Sequence, residues 1–276
     1  MELGKCGTFT HLNPFRLTAY SLQRWARGED VADYNLERDS TYLFSCSSRK
    51  VVPPAGSFST MAFVIDHSVP TPPFIPLGRG EDVCFAASCA VLHPNYLFAH
   101  AAMTLDHFAP VPKKLPESAR RMIVPNMGEL MAAIVRRVGS VQTSLGVPSS
   151  YRQLGEELMM LSTRDDNAFD RGVRDAFLSG LSSFGAVLSN PGVPDELPGT
   201  LRTDTLQLME AIRAAAQDEA CGYPLEARAA NRNLSDARRF LREEIGLFGT
   251  ILTIWPRMLE AADQLSGQIE RYSCPL

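Results

Sequence analysis

LEARAANRNLSDARRFLREEIGLF, residues 225–248, decides the fold. Leu234, Ala237, Phe240, Leu241 and Ile245 recur at helical spacing, and Pro224 stands just before the first turn, where its fixed φ suits a helix start. The stretch predicts one long amphipathic helix with those five residues on its buried face. The same signature repeats on either side. A helix over 127–138 is stopped by Gly139, and one over 151–161 opens on Ser150 and Gln153 at capping-box spacing. A third covers 168–188 after Asp166 and Asn167, and a fourth covers 201–220 capped by Thr200. Pro256 is expected to break or kink the chain before a last helix over 258–272. Residues 113–276 therefore read as a helical bundle domain with short loops.

Residues 1–112 have a different texture, rich in Pro, aromatic and β-branched residues. Candidate strands are 41–46 (TYLFSC) and 58–66 (FSTMAFVID). The segments 51–56 and 69–80 hold Pro at a density that excludes a helix or central strand, so they read as extended arms able to reach neighbouring subunits. Helices are expected over 15–27, ended by Gly28, and over 96–108, with Leu97, Ala101, Leu105 and Phe108 on one face. PVPKKLPE, residues 110–117, looks like a linker. The fold class expected is mainly α: a C-terminal helical bundle preceded by a Pro-rich region of loops and short strands.

With 45% hydrophobic and 21% charged residues, the 276-residue chain can bury a core. The formal charge of −4 is spread evenly over both regions, which argues against coating nucleic acid by bulk charge. Of the 27 cations only four are Lys (5, 50, 113 and 114). A GC-rich genome explains that bias; so does a use for the planar guanidinium on phosphates. The opening MELGKCGTFTHLNPF lacks the apolar core of a secretory signal. IGLFGTILTIW, residues 245–255, is too short to span a bilayer and reads as buried helix. Six cysteines (6, 46, 84, 89, 221 and 274) do not make a disulfide framework at this length. The expectation is a cytoplasmic protein with reduced thiols and no membrane association.

Phosphate-cradling, dinucleotide, zinc-protease and serine-hydrolase motifs are all absent from the sequence. The nearest approach to a metal site is Cys84, Cys89, His93, His100 and His107, spaced C-x4-C-x3-H-x6-H-x6-H. Zinc prefers these ligand types, but its structural sites start from closer pairs, and both cysteines lie in the apolar run VCFAASCAVL. Core packing is the expected role, with no cofactor. A Cys–His nucleophile built from Cys46 or Cys89 with His67, His93 or His100 has no surrounding signature. Asp165, Asp166, Asp170 and Asp175 alternate with Arg164, Arg171 and Arg174, the pattern of a solvated face laced with ion pairs.

The most suggestive feature is basic. On the 225–248 helix, Arg228, Arg232, Arg239 and Arg242 fall within a stripe roughly 80° wide, opposite the buried face. Such a stripe can track a phosphate backbone without reading sequence. Asp236 and Glu243 at its edge weaken its field, and an ordinary solvated face with intrahelical ion pairs is the simpler account of it. The pairs Lys113–Lys114 and Arg120–Arg121 lie near the linker.

Pro, Ala and Ser make up about 70 of the 276 residues, dispersed through periodic helices. In this composition, its Arg excess and its lack of enzymatic motifs, the chain resembles the proline-alanine-serine-rich proteins of polymycoviruses, capsidless double-stranded RNA viruses of fungi. That resemblance implies a viral, non-enzymatic structural protein that self-associates and contacts RNA. It carries no residue assignments, and the net negative charge departs from what coating RNA needs. The alternatives are a protein–protein scaffold that never touches nucleic acid, and a zinc or Cys/His hydrolytic protein.

Overall fold

The computed structural model describes residues 70–96, 98–100, 123–139, 147–181, 195–228 and 233–269, with short pieces among the first 52. Their architecture is mainly α. In chain order the helices are α1 Glu81–Leu92, α2 Met127–Gly139, α3 Val147–Ser162, α4 Asp166–Gly180, α5 Gly199–Gln217, the single turn α6 Leu225–Arg228, and α7 Leu234–Ile269. Among the described residues, strand is confined to two small ladders, β1 Gly7–Thr8 with β2 Leu43–Phe44, and β3 Lys50–Val52 with β4 Phe98–His100.

The chain divides into two compact units, each assembled from three separate stretches. One comprises Met1–Val51, Ala99–Pro125 and Val173–Tyr223; the other comprises Val52–Phe98, Asn126–Gly172 and Pro224–Leu276. The boundary expected at 112/113 and the linker 110–117 lie outside the described residues, as does the expected strand 58–66.

In the first unit, Leu201, Thr205, Leu208 and Ile212 bury one face of α5. Tyr34, 2% exposed, donates its hydroxyl proton to Asp204 Oδ2 at 2.7 Å and lies 3.0 Å from the Thr18 hydroxyl. The described residues within 15–27 are helical up to Ala26, as expected. Gly28 follows at φ 74°, with its N–H on the Trp25 carbonyl and that of Glu29 on the Arg24 carbonyl. This pair of bonds is a Schellman cap, and the left-handed backbone explains the glycine.

The second unit rests on α3 against α7. Leu241, Ile245, Phe248 and Leu252 step along α7 at intervals of four and three and are completely buried. Each such burial contributes about 1.5–3 kcal/mol. Opposite them, Tyr151, Leu154 and Leu158 line α3. The helices meet glycine to glycine: a Cβ on Gly155 would collide with the Gly249 carbonyl and Thr253, and one on Gly249 would sit 2.7 Å from the Gly155 carbonyl.

α1 packs on α2 in the same unit. Cys84, Phe85, Ala86, Ala87, Ser88, Cys89 and Leu92 are buried almost all round α1, which is why the run VCFAASCAVL shows no amphipathic period. At the start of α2, Asn126 and Glu129 form a reciprocal capping box: Asn126 Oδ1 accepts the Glu129 N–H at 2.9 Å, and Glu129 Oε2 accepts that of Asn126 at 3.0 Å. Glu226 adds a second carboxylate there, accepting from Met127 N and Arg79 N at 3.0 Å each.

Several expectations need correction. The 225–248 helix is not continuous. It consists of α6 and a separate α7, and α7 starts afresh because Asn233 Oδ1 caps it through the Asp236 N–H at 2.8 Å. Pro256 does not end a helix; α7 runs through it to Ile269. Contacts in the turn before it offset the roughly 3 kcal/mol an interior proline costs: Leu252 is buried, and Trp255 Nε1 donates to the Thr71 carbonyl at 2.6 Å. The end of the 258–272 helix beyond Ile269 lies outside the described residues. Phe98–His100, inside the helix expected over 96–108, is strand, because pairing with β3 satisfies its backbone instead. Thr200 is not a cap, since α5 begins at Gly199 after Pro198, and Ser150 lies inside α3, which begins at Val147. Nor is the Pro-rich stretch 69–80 a reaching arm over its central part. Pro72, Pro73 and Ile75 are buried and Phe74 stacks on Phe85 with centroids 4.5 Å apart.

The glycine contact gives a sharp expectation. Gly155→Ala should lower stability by about 1–3 kcal/mol in urea unfolding despite the better helix propensity of alanine, because backbone must move. Gly199→Ala, with open space around it, should leave stability level or raise it. Equal effects at both positions would contradict the close packing.

Candidate functional site

The four arginines of the expected stripe do not form one surface. Arg228 lies on α6, half-buried, and Arg232 lies outside the described residues. Arg239 and Arg242 share α7 but have different surroundings. The Arg239 side chain is 73% exposed and pairs only locally, at 3.0 Å, with Asp236 one turn back. Arg242 points into the fold. It donates to the Ser162 carbonyl at 2.6 Å and to Asp166 Oδ1 at 3.0 Å, and its guanidinium lies 4.4 Å above the centre of the Phe169 ring.

Arg238, not singled out by the sequence reading, completes this clamp. It grips Asp170 with both Nε and Nη2, at 2.9 and 2.6 Å, and reaches Asp166 through Nη1 at 2.7 Å. Two carboxylates at the start of α4 thus hold two guanidiniums of α7, favoured further by the positive end of the α4 dipole. The Asp/Arg alternation expected to lace one helix instead joins two. Geometry of this kind neutralises both arginines internally, so they fasten the fold.

The Cys/His constellation is also resolved into packing. Cys84 and Cys89 are buried in α1, and desolvation pushes both thiols up to about 12, far from the thiolate that metal binding or nucleophilic attack requires. His93, which caps the end of α1, is 5% exposed. Its Nε2 lies 3.0 Å from the Tyr151 hydroxyl and its ring stacks on Tyr96 at 4.2 Å. The hydroxyls of Tyr96 and Tyr151 both donate to the Pro70 carbonyl, at 3.2 and 3.3 Å. The cluster pins the Pro-rich segment to α1 and α3. Among the described residues no three His, Cys, Asp or Glu side chains converge as metal ligands. His100 is placed in β4 by its backbone, and Cys46, His67, His107 and the Lys113–Lys114 and Arg120–Arg121 pairs lie outside the described residues. A recess bordered by Val91, Val138, Gln153 and Glu157 measures about 20 Å³, room for roughly one water.

What the sequence reading missed is apolar. Residues 245–255 were expected to form a buried helix, but α7 shows two apolar rows. Beside the core row runs an outer one: Leu247, Ile254, Met258 and Leu265, 46, 42, 48 and 56% exposed, with half-buried Ile251 and exposed Ala261 between them. The signal was present as a second four–three spacing, hidden because both rows overlap in one hydrophobic run. Among the described residues no helix is long and apolar enough to cross a membrane.

Two expectations follow from the buried groups. Arg238→Ala should destabilise the fold by about 1–3 kcal/mol, since it removes the two-pronged grip on Asp170 and the bond to Asp166, whereas Arg239→Ala should cost no more than about 0.5 kcal/mol; chemical denaturation of both variants checks the contrast. His93 has the second. Burial holds its imidazole below the ordinary range, outweighing the opposing pull of the Pro70 carbonyl. The unfolded chain therefore takes up the proton first, so this contribution to stability is intact above about pH 6.5 and is lost as pH falls below it. His93→Gln should flatten that part of the stability–pH slope between about pH 7 and pH 5; an unchanged slope would contradict the assignment.

No family model, no curated protein and no solved structure matches this chain.

Proposed function

We propose that this chain is a non-enzymatic structural protein that acts by associating with copies of itself. The observation that carries the reading is the outer apolar row of α7, a surface that water disfavours and that a partner would cover. The chemistry of the interior supports it from the other side. The thiols of Cys84 and Cys89 are held protonated by burial, and His93 is locked between two tyrosines. The compositional resemblance to the proline-alanine-serine-rich proteins of polymycoviruses points the same way, to a viral protein of the cytoplasm.

RNA contact is the second part of that reading and rests on less. Arg239 is its main support, since it projects into solvent with a single exposed partner. Arg242 is withdrawn from it by Asp166 and Ser162. If phosphate contact occurs, it is weak, insensitive to sequence and strongly dependent on salt.

Size-exclusion chromatography with light scattering and a 260/280 nm absorbance ratio, before and after nuclease, separates the possibilities. The expected result is a mass above 30.4 kDa that survives nuclease and grows with concentration. Co-eluting RNA released by salt, and lost in Arg239→Glu, would support the second part. A strict monomer free of RNA at every concentration would overturn the proposal.

A further inference from the structure

Residues 70–76, PTPPFIP, hold four prolines in seven positions. Each proline fixes its own φ, and Thr71, Pro72 and Ile75, each followed by a proline, are steered to extended or polyproline backbone. Residues 70–75 accordingly form neither helix, strand nor turn. A polyproline helix has three residues per turn and so three edges, and burial follows those edges. Pro72 and Ile75, on one, are buried; Thr71 and Phe74, on the next, are half-buried; Pro70 and Pro76, at the ends of the third, are exposed. The segment lies along the second unit as a bound peptide lies in a groove.

A proline has no N–H to give, so recognition of such a segment falls to donors that reach its carbonyls and to aromatic faces for its side chains. Both are present. Trp255 of α7 donates its indole N–H to the Thr71 carbonyl at 2.6 Å. The hydroxyls of Tyr96 and of Tyr151 on α3 reach the Pro70 carbonyl at 3.2 and 3.3 Å. Phe85 of α1 takes the Phe74 ring face to face, with centroids 4.5 Å and planes 9° apart. The two tyrosines are oriented by the groove rather than by the segment. The His93 ring stacks on Tyr96 at 4.2 Å, and its Nε2 lies 3.0 Å from the Tyr151 hydroxyl. Donors held this way keep their alignment when the segment is away, which is the preorganisation a binding groove needs.

We propose that this groove is a polyproline-recognition site with segment 70–76 as its resident ligand, and that a proline-rich peptide of another chain can take the segment's place. The inference goes beyond self-association and does not depend on it. Exchange is open to this segment because residues 70–75 belong to no strand ladder. It is held through carbonyls and rings, and water can satisfy those carbonyls once it lifts. Its attachment to the same chain gives it an effective concentration of about millimolar or higher. The site is therefore mostly self-occupied, and its apparent affinity for an incoming peptide is reduced by the fraction of chains with the segment lifted. Weakening the resident segment should then strengthen binding from outside, an effect that a purely structural role for residues 70–76 would not produce.

Fluorescence anisotropy of a labelled peptide, VPTPPFIP (residues 69–76), titrated with the full chain tests this. The expected result is weak binding to the unaltered chain and binding at least about tenfold tighter to Phe74→Ala, whose resident segment has lost its aromatic anchor. Far-UV circular dichroism verifies that the variant is folded; Pro72→Ala, a smaller change in the same segment, shows the same direction should Phe74→Ala fail to fold. Adding Trp255→Phe to either variant removes the indole donor and should weaken binding severalfold. The same peptide with its four prolines replaced by alanine should not bind, which separates polyproline recognition from the stickiness of Phe and Ile. Equal binding of that alanine peptide overturns the proposal. So does a peptide that binds neither segment variant, or that binds them no better than the unaltered chain.

Discussion

Glycine against glycine, at 155 and 249, brings α3 and α7 so close that neither position can carry a side chain without moving backbone. Much else in the second unit depends on that approach. It lets Leu241, Ile245, Phe248 and Leu252 reach the core as a continuous row, and it brings Arg238 and Arg242 within reach of Asp166 and Asp170. Committing one side of α7 wholly to α3 leaves the other apolar row facing outward. The exposed row is thus a consequence of a helix with more apolar surface than its own fold covers.

The helical content was legible in the sequence because amphipathic period and punctuation agree. Met131, Ile134 and Val135 mark one face of α2, which runs through Gly139 to the end of the described stretch. What could not be read locally was set by tertiary contacts. α1 shows no period because nearly every side of it is buried. Phe98–His100 found a strand partner, and Pro256 is carried through α7 by the packed turn before it, Leu252 to Trp255. One visible signal passed over was Asn233, whose side chain starts α7 and divides the 225–248 stretch in two.

Tertiary contacts separate the candidate sites in the same way. A stripe of arginines at helical spacing says where guanidiniums lie on a helix but not which carboxylates lie on the next one. Asp166 and Asp170, four residues apart on α4, turned two arginines of α7 into internal fasteners and left Arg239 outside. Spacing likewise gave the Cys84–Cys89–His93 sequence the ligand types of a metal site, while burial gives it the character of core. The apolar row was written in the sequence as plainly as either, but as surplus hydrophobicity it read as more core. Only the position of α3 distinguishes the face that is covered from the face that is not.

Amide hydrogen exchange along α7, measured at low and high protein concentration, tests the central claim most directly. The account predicts that amides from about residue 247 to 265 exchange more slowly as concentration rises, most of all in the turns beyond α3, while those of α2 do not change. Protection in α7 that is the same at every concentration would contradict it.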